Sequence, residues 1–294
     1  MELRVLRYFL AVVREQTVSA AAESLHLTQP TLSRQLRELE EQLGKKLFIR
    51  GSHRIELTEE GMLLRKRAEQ ILELVSRTEN DIASSNETIA GDVYIGAGET
   101  DAVKLIARAA NRMRRDYPLV HFHIYSGDGE DVLERLDKGL SDFGIIFSKP
   151  DTSKYNAIML PLRDEWGILM RRDFPLSEKN SITPSDIRHL PLIISRQLSD
   201  KNSVMKWLGC KLDKLDVVST YNLVYNGSVM VREGIGCAIT LDKLINVSGD
   251  SELCFRPLEP PVFAEMNFVW NKYQVMTAAA EKFLSYFRKE IAKY

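Results

Sequence analysis

The chain has 294 residues and a formal net charge of −1, which argues against a protein that coats nucleic acid through bulk charge. Its length fits about two or three domains, and its ordinary hydrophobic content is enough to fill their cores. Three scattered cysteines form neither a disulfide framework nor a zinc-binding pattern. The first residues lack the organisation of a signal peptide and no apolar run approaches a membrane span, so we expect a cytoplasmic protein without a membrane partner.

Three helices are predicted at the start of the chain. The first is amphipathic, with an apolar face formed by Leu3, Leu6, Phe9, Leu10 and Val13. The second contains three consecutive alanines, residues 20–22, whose small side chains let two helices cross closely. A turn at residues 26–27 leads into the third helix, so the second and third helices have the arrangement of a helix-turn-helix.

The third helix is predicted to expose one polar face. Its buried face is a stripe of leucines at helical spacing: Leu32, Leu36, Leu39 and Leu43. Thr28 is placed to cap the helix, and Pro30 then lies in the first turn, where proline is tolerated. The N-terminal end would carry short polar groups, free backbone N–H donors and Arg34, as a helix that enters the DNA major groove requires. An ordinary amphipathic surface helix has the same periodicity, so the assignment depends on the flanking sequence.

That flanking sequence predicts a short β-hairpin after Gly44. An apolar strand at residues 47–49 is followed by turn residues and then by the alternating Ile55 and Leu57. A helix-turn-helix followed by a basic two-stranded wing is a unit that reads DNA.

The predicted DNA contacts come from the start of the third helix and from the wing. Gln29 can pair with adenine and Arg34 with guanine, whereas Pro30 and the Thr31 methyl group can touch thymine methyl groups. Ser33 and the wing residues can instead donate to phosphate. The complete predicted set is Thr28, Gln29, Pro30, Thr31, Ser33, Arg34, Arg37, Arg50, His53 and Arg54. Alternatives stay open for two of them: Arg37 as a solvated or ion-paired side chain beside Glu38 and Glu41, and His53 as a surface residue.

A long helix is predicted from Thr58 to about Ser84. Alternating steps of four and three residues form a heptad seam in it: Leu64, Ala68, Ile71, Val75, Thr78 and Ile82. This spacing favours pairing between two chains, and the alternative is a single helix that lies on its own domain. A homodimer or homotetramer would present paired recognition helices to an interrupted palindromic operator in double-stranded DNA.

Strands alternate with helices from residue 91 onward, which predicts mainly parallel α/β sheets. A second α/β unit begins near Leu162. The last strand, near residues 267–270, and the closing amphipathic helix return to the first unit.

Residues 1 to about 60 resemble the winged helix-turn-helix of LysR-type transcriptional regulators. The matches in register lie at residues 20–25, 28–30, 33–36, 47–50 and 57–61. The second half resembles, through weaker matches at residues 117–118 and 230–236, the effector-binding domain of the same family. That domain consists of two Rossmann-like α/β subdomains of the type 2 periplasmic-binding-protein kind. One departure is that Leu241 and Asp242 stand where the family usually places a proline.

The resemblance implies an α/β protein overall, with a mainly α N-terminal domain and a long linker helix that mediates dimerisation. We predict the following division: a winged helix-turn-helix at residues 1–58, a linker helix and hinge at 59–90, and an effector-binding domain at 91–294. Within the last, subdomain I covers about 91–162 and 266–294, and subdomain II covers about 163–265.

Ligands on open α/β sheets bind beyond the carboxyl ends of strands, where helix N-termini point. This rule selects the predicted effector-binding residues: Gly98, Glu99, Thr100, Asp101, Ser126, Gly127, Phe147, Ser195, Arg196, Tyr225 and Asn226. In the family, the residue that matches Thr100 often donates a hydrogen bond to the ligand. An anionic effector would suit helix N-termini together with Arg196 or Lys149, whereas Glu99 and Asp101 oppose it. Helix capping or strand-end packing explains each of these residues equally well.

The sequence therefore predicts a DNA-binding transcriptional regulator controlled by a small-molecule effector, with RNA polymerase as a further partner. We expect no cofactor, metal site or catalytic residue, and no enzyme activity, because no nucleophile–base motif, phosphate loop or metal-ligand spacing is present. The alternative is a regulator gated by a protein partner or by oxidation of Cys210 or Cys237. Neither cysteine has the cation-rich sequence surroundings of a reactive thiol.

Overall fold

The computed structural model describes residues 1–50, 54–83, 89–199 and 202–294. The chain forms two units, Met1–Ala83 and Ser84–Tyr294. In the described part of the chain, no helix is long and apolar enough to cross a lipid bilayer.

The N-terminal unit is a helical bundle with a two-stranded wing. Its elements in chain order are α1 (Leu3–Glu15), α2 (Val18–Ser24), α3 (Gln29–Leu43), β1 (Phe48–Arg50), β2 (Ile55–Leu57) and α4 (Glu59–Ala83). Phe9 and Val12 of α1, Ala21 of α2 and Leu32 of α3 are fully buried in one hydrophobic core. The amphipathic periodicity of each helix thus determines which face is buried.

The turn between α2 and α3 depends on a left-handed residue. His26 has a φ angle of 54°, and the following Leu27 N–H donates to the Ala22 carbonyl at 2.8 Å. Thr28 occupies the N-cap position of α3 with an extended backbone, but its hydroxyl bonds to the Thr31 hydroxyl instead of a backbone amide. The predicted leucine stripe is buried at its first three positions, whereas Leu43 is 42% exposed because α3 ends there.

The C-terminal unit contains two mixed sheets. The first has the strand order β4-β3-β5-β13-β6, in which β3 runs parallel to β4 and β5, and β13 runs antiparallel to β5 and β6. Its elements are β3 (Gly91–Ala97), α5 (Val103–Asp116), β4 (Val120–Ser126), α6 (Gly129–Asp137), β5 (Phe143–Ile146), β6 (Tyr155–Met159), β13 (Asn267–Asn271) and α10 (Ala278–Ile291). Stacked Phe143 and Phe268, with ring centroids 5.1 Å apart, lie in its core.

The second sheet has the order β11-β7-β10-β8-β9, and β12 also pairs with β7. Strands β8, β9 and β10 are parallel, whereas β7 is antiparallel to its neighbours β10 and β11. Its elements are β7 (Asp164–Arg171), α7 (Pro184–Ile187), β8 (Leu192–Ser195), α8 (Ser203–Leu208), β9 (Val217–Tyr221), α9 (Val224–Arg232), β10 (Cys237–Leu241), β11 (Leu253–Pro257) and β12 (Phe263–Ala264).

The predicted fold class is confirmed, including the return of the last strand and helix to the first sheet. The sheets are less parallel than the alternation of strands and helices indicates. Strand β13 runs antiparallel to its neighbours in the first sheet, and β7 runs antiparallel to its neighbours in the second. Strands β6, β11 and β12 are absent from the sequence-based prediction.

Candidate DNA-reading surface and effector cleft

The start of α3 carries exposed polar side chains. Thr28, Gln29, Pro30, Thr31 and Arg34 are all exposed. Helix α3 is backed by its buried leucines, so its opposite face is available to a partner.

The polar groups on this face bond mainly to one another. Gln29 Nε2 donates to Ser33 Oγ at 3.0 Å, and Ser33 itself is half-buried. Arg34 Nε lies 3.8 Å from the Glu38 carboxylate, and both side chains are more than half exposed. An exposed pair of this kind contributes at most about 1 kcal/mol, so a DNA base or phosphate can replace Glu38 at small cost.

Arg37 is exposed and makes no ion pair with any residue that the structure describes. Glu38, its expected partner, instead accepts a hydrogen bond from Gln35 at 2.8 Å and approaches Arg34. The ion-paired alternative for Arg37 is therefore not observed, and a solvated or DNA-contacting side chain remains.

Glu40 connects the wing to α3. One carboxylate oxygen accepts from the Leu47 amide at 2.9 Å and from the Phe48 amide at 3.4 Å, and the other lies 2.6 Å from Lys46 Nζ. Partial burial opposes ionisation of Glu40, but the bonds from Lys46 and the Leu47 amide together hold its pKa below the ordinary value. A negative charge late on α3 thus positions the wing.

The described residues include some of the DNA contacts that are predicted for the wing. Strands β1 and β2 pair antiparallel, with Arg50 opposite Ile55. Arg54 is exposed just before β2. The structure describes only the backbone of Arg50, and the predicted contact from His53 lies outside the described residues.

The predicted dimer seam on α4 is divided between two surfaces. Ala68 is fully buried in the core of its own unit, and Leu64 and Ile71 pack against the same core. This corrects the expectation for Ala68, because a side chain covered by α1 cannot contact a second chain. Val75 is half-buried, while Thr78 is exposed and Ile82 is 80% exposed.

Other apolar side chains of α4 are exposed to solvent. Leu63 is 59% exposed and Leu74 is 42% exposed. These two residues are eleven positions apart, so they lie within about 20° of each other around the helix. They share a face that is rotated away from the predicted seam, and Arg67 and Gln70 lie between them on that face.

A cavity of about 90 Å³ lies between the two sheets of the C-terminal unit. The carboxyl ends of six parallel strands line it. In the first sheet, Gly98, Gly127 and Phe147 follow β3, β4 and β5. In the second sheet, Ser195, Tyr221 and Leu241 end β8, β9 and β10. Five of the predicted effector-binding residues line it, namely Gly98, Glu99, Gly127, Phe147 and Ser195.

The other six predicted residues do not line this cavity: Thr100, Asp101, Ser126, Arg196, Tyr225 and Asn226. The hydroxyl of Thr100 is buried and donates to Asp164 Oδ2 at 2.5 Å, so it is used inside the protein. Tyr225 is 67% exposed on the outer side of α9, and Ser126 and Asn226 are also exposed. Strand-end position alone does not determine which side chains point inward.

Arg196 connects the two sheets at the edge of the cleft. Its guanidinium lies 2.5 Å from Asp128 Oδ2 and 3.1 Å from Asp131 Oδ2, and Nε donates to Asp128 at 2.7 Å. Burial opposes ionisation of Asp128, but the α6 N-terminal amides and Arg196 together lower its pKa. Of the two cations expected for an anionic effector, Arg196 is thus already paired, and Lys149 does not line the cavity.

Glu99 occupies the helix N-terminus that the sequence assigns to an anionic effector. Its carboxylate accepts a hydrogen bond from the Val224 N–H at the first residue of α9. Burial raises the pKa of Glu99, and the bond from Val224 only partly offsets that rise. An acidic group of the protein itself therefore occupies this helix N-terminus.

The prediction missed several wall residues, including Asp128, Trp166, Tyr221 and Thr240. Trp166 shows why: it pairs with Leu241 near the start of β7, which runs antiparallel to β10. Because β7 runs antiparallel to β10, the start of β7 lies beside the end of β10 at the cleft. The rule that ligands bind at the carboxyl ends of parallel strands does not select a residue at the start of a strand.

The cysteines lie in apolar surroundings. Burial raises the pKa of Cys237 to about 11 and also raises the pKa of Cys254. Cys210 is partly exposed. Protonated, buried thiols react slowly, so Cys237 and Cys254 are poorly suited to oxidation as an input signal. The same residues contain no group of three or more potential metal ligands.

Two family models together match most of the chain. Residues 3–62 match the bacterial regulatory helix-turn-helix protein, lysR family, and residues 86–292 match the LysR substrate binding domain. Among curated relatives, the HTH-type transcriptional regulator BsdA of Bacillus subtilis (strain 168) is 32% identical over 70% of this chain and 71% of its own length. The HTH-type transcriptional regulator IlvY of Escherichia coli (strain K12) is 28% identical over 82% of this chain and 81% of its own.

Solved structures show the same fold. Full-length CbnR complexed with its target DNA superimposes with a TM-score of 0.73 at 18% identity, covering 99% of this chain and all of the CbnR chain. The relatives are named as transcriptional regulators, so the expectation of no enzyme activity agrees with them. The chain belongs to the LysR family and is a DNA-binding transcriptional regulator with a substrate-binding domain.

Proposed function

We propose that the chain binds an interrupted palindromic operator as a homodimer or homotetramer, with the start of α3 in the major groove and the wing on phosphate. The observation that carries this proposal is the exposed polar start of α3, where Gln29, Arg34 and Arg37 are free to reach bases. CbnR, which has the same fold, has been solved in complex with its target DNA, and this supports DNA binding by this chain. Because the operator lies in the cytoplasm, the protein acts there, and RNA polymerase is a proposed further partner.

The input is a small molecule bound in the cavity between the two sheets. Its walls come from both sheets, so a ligand that contacts both stabilises one relative arrangement of them. The ligand binds one arrangement of the oligomer more tightly than the other, and this difference in binding free energy changes the affinity for operator DNA. By the same linkage, binding of operator DNA changes the affinity for the ligand. Different spacings of the paired α3 helices would bend the operator to different extents.

Selection of genomic fragments bound by the purified chain identifies the operator, and a gel-shift titration then tests the contacts. Replacing Arg34 with Ala should weaken operator affinity by about tenfold to a hundredfold, because a bidentate base contact contributes about 1–3 kcal/mol. Arg232→Ala, which removes an exposed arginine from the C-terminal unit, is the matched control and should bind as the unmodified chain does. Equal operator affinity for Arg34→Ala and the unmodified chain would contradict the proposed role of α3.

A further inference from the structure

The charged residues in the wall of the cleft are all acidic. Glu99 and Asp128 are its charged residues, and the walls contain no lysine, arginine or histidine among the residues that the structure describes. Asp128 is neutralised by Arg196, which lies 2.5 Å from it. Glu99 makes no ion pair with any described residue and has a single hydrogen bond, from the Val224 amide. The cleft therefore contains one half-buried carboxylate without a compensating cation.

Such a carboxylate is costly to maintain in the charged form, as the raised pKa of Glu99 indicates. A cation bound beside it would recover part of that cost. An anion in the same place would instead be repelled by Glu99, and it would find the amide of Val224 at the start of α9 already bonded.

The remaining walls are suited to a cation with apolar substituents. Phe147, Trp166 and Tyr221 all line the cavity, and aromatic faces attract organic cations. Gly98 makes room for the Phe147 ring, since a Cβ on Gly98 would lie 2.7 Å from Phe147 Cε2. The indole N–H of Trp166 is buried without a hydrogen-bond partner among the described residues.

We propose that the effector is a small organic ammonium compound, whose charge pairs with Glu99 while its carbon atoms contact Phe147, Trp166 and Tyr221. This inference rests on the proposed function, in which the cleft binds the effector, and it assigns the chemical class of that effector. Recognition of ammonium groups by a carboxylate within aromatic walls follows from the charge and the ring quadrupoles.

The test uses the full chain and matched pairs of probes. Benzylamine, phenethylamine and choline represent the ammonium class, and benzoate and phenylacetate represent carboxylates of similar size. Calorimetric titration at neutral pH should give ammonium affinities at least tenfold above those of the carboxylates. Glu99→Gln removes the charge but keeps an oxygen that can accept from the Val224 amide, so it should lose the ammonium preference. Glu130→Gln, which changes an exposed neighbouring acid outside the cavity wall, should retain it.

The pH dependence of the unmodified chain provides a second measurement that needs no variant. Benzylammonium affinity should fall as the pH is lowered from neutral, and the fall should begin above the ordinary pKa of a glutamate because burial raises the pKa of Glu99. The other titratable wall groups do not respond there: Arg196 lowers the pKa of Asp128 against the effect of its burial, and burial raises the pKa of Tyr221 to about 12.

Three results would each overturn the inference: carboxylates that bind at least as tightly, a Glu99→Gln chain that keeps the preference, or no binding by any ammonium probe. Operator binding by the same preparation separates this inference from the proposed function. Loss of operator binding would refute the proposed function, whereas operator binding with a carboxylate preference would refute only the ammonium assignment.

Discussion

At the scale of single residues, carboxylates determine much of the arrangement in both units. Glu40 holds two wing amides and Lys46, Asp128 holds Arg196 between the sheets, and Glu99 caps α9. Asp164, whose pKa burial raises, accepts the Thr100 hydroxyl. Asp128, Asp164 and Glu99 bond to residues 68, 64 and 125 positions away, so their roles do not follow from local sequence.

Protonation of Glu40 should loosen the wing. Its lowered pKa means that this carboxylate stabilises the fold above its ordinary pKa, and that the contribution is lost as the pH falls through the lowered value. Glu40→Gln should therefore speed hydrogen exchange of the Leu47 amide at pH 7, by a factor that corresponds to about 1 kcal/mol. The difference from the unmodified chain should vanish at a pH low enough to protonate Glu40.

Glu41→Gln is the matched control, because Glu41 is the exposed neighbour of Glu40 on α3. It should leave exchange of the Leu47 amide unchanged at every pH. A Glu40→Gln chain with unaltered exchange at pH 7 would show that the carboxylate does not hold the wing.

At the scale of elements, close approach of backbones determines how α4 follows the wing. Thr58 receives the Gly61 amide on its hydroxyl at 3.0 Å and donates that hydroxyl to the Lys46 carbonyl at 2.7 Å. A Cβ on Gly61 would lie 2.2 Å from the Leu47 carbonyl oxygen. The first turn of α4 can thus contact β1 only because residue 61 has no side chain.

Gly61→Ala should destabilise the N-terminal unit by about 1–3 kcal/mol, because the added methyl group must displace either the start of α4 or the Leu47 backbone. Ser76→Ala, at an exposed position of the same helix, should have little effect. Urea unfolding followed by helical circular dichroism measures both. Equal midpoints for the Gly61→Ala and unmodified chains would contradict the close approach.

At the scale of the whole molecule, the exposed leucines of α4 are the basis of a prediction about how two chains pair. Leu63 and Leu74 lie on one face of α4, and Ile82 adds a further exposed apolar side chain near its end. Exposed leucines on a long helix favour its pairing with a second helix. Two copies joined there would carry two copies of α3, as an operator with two half-sites requires.

Leu74→Glu should weaken the oligomer by placing like charges across the helix pair, with a loss of operator affinity of at least about tenfold. Ser76→Glu adds the same charge to the same helix on the side away from Leu63 and Leu74, so it is the matched control. Sedimentation velocity at micromolar protein measures the change. A Leu74→Glu chain with unchanged mass would place the interface elsewhere.

The fold and the start of α3 could be predicted because both depend on local periodicity. The leucines of α3 recur every three or four residues, and strands alternate with helices through the C-terminal half, so burial and exposure follow from position. The alternation of strands and helices also predicted a cleft at the carboxyl ends of the strands, since parallel strands end at one edge of a sheet.

The sequence by itself thus determined most of the elements, but not β6, β11 and β12, and it determined the order of the two units and the exposed face of α3. Only the tertiary structure decided which side of α4 is covered by α1, which strand-end residues face the cleft, and that Glu99 lies at the start of α9. The physical reason is that periodicity shows which side chains avoid water, whereas pairing between distant groups depends on strand direction and packing across many residues.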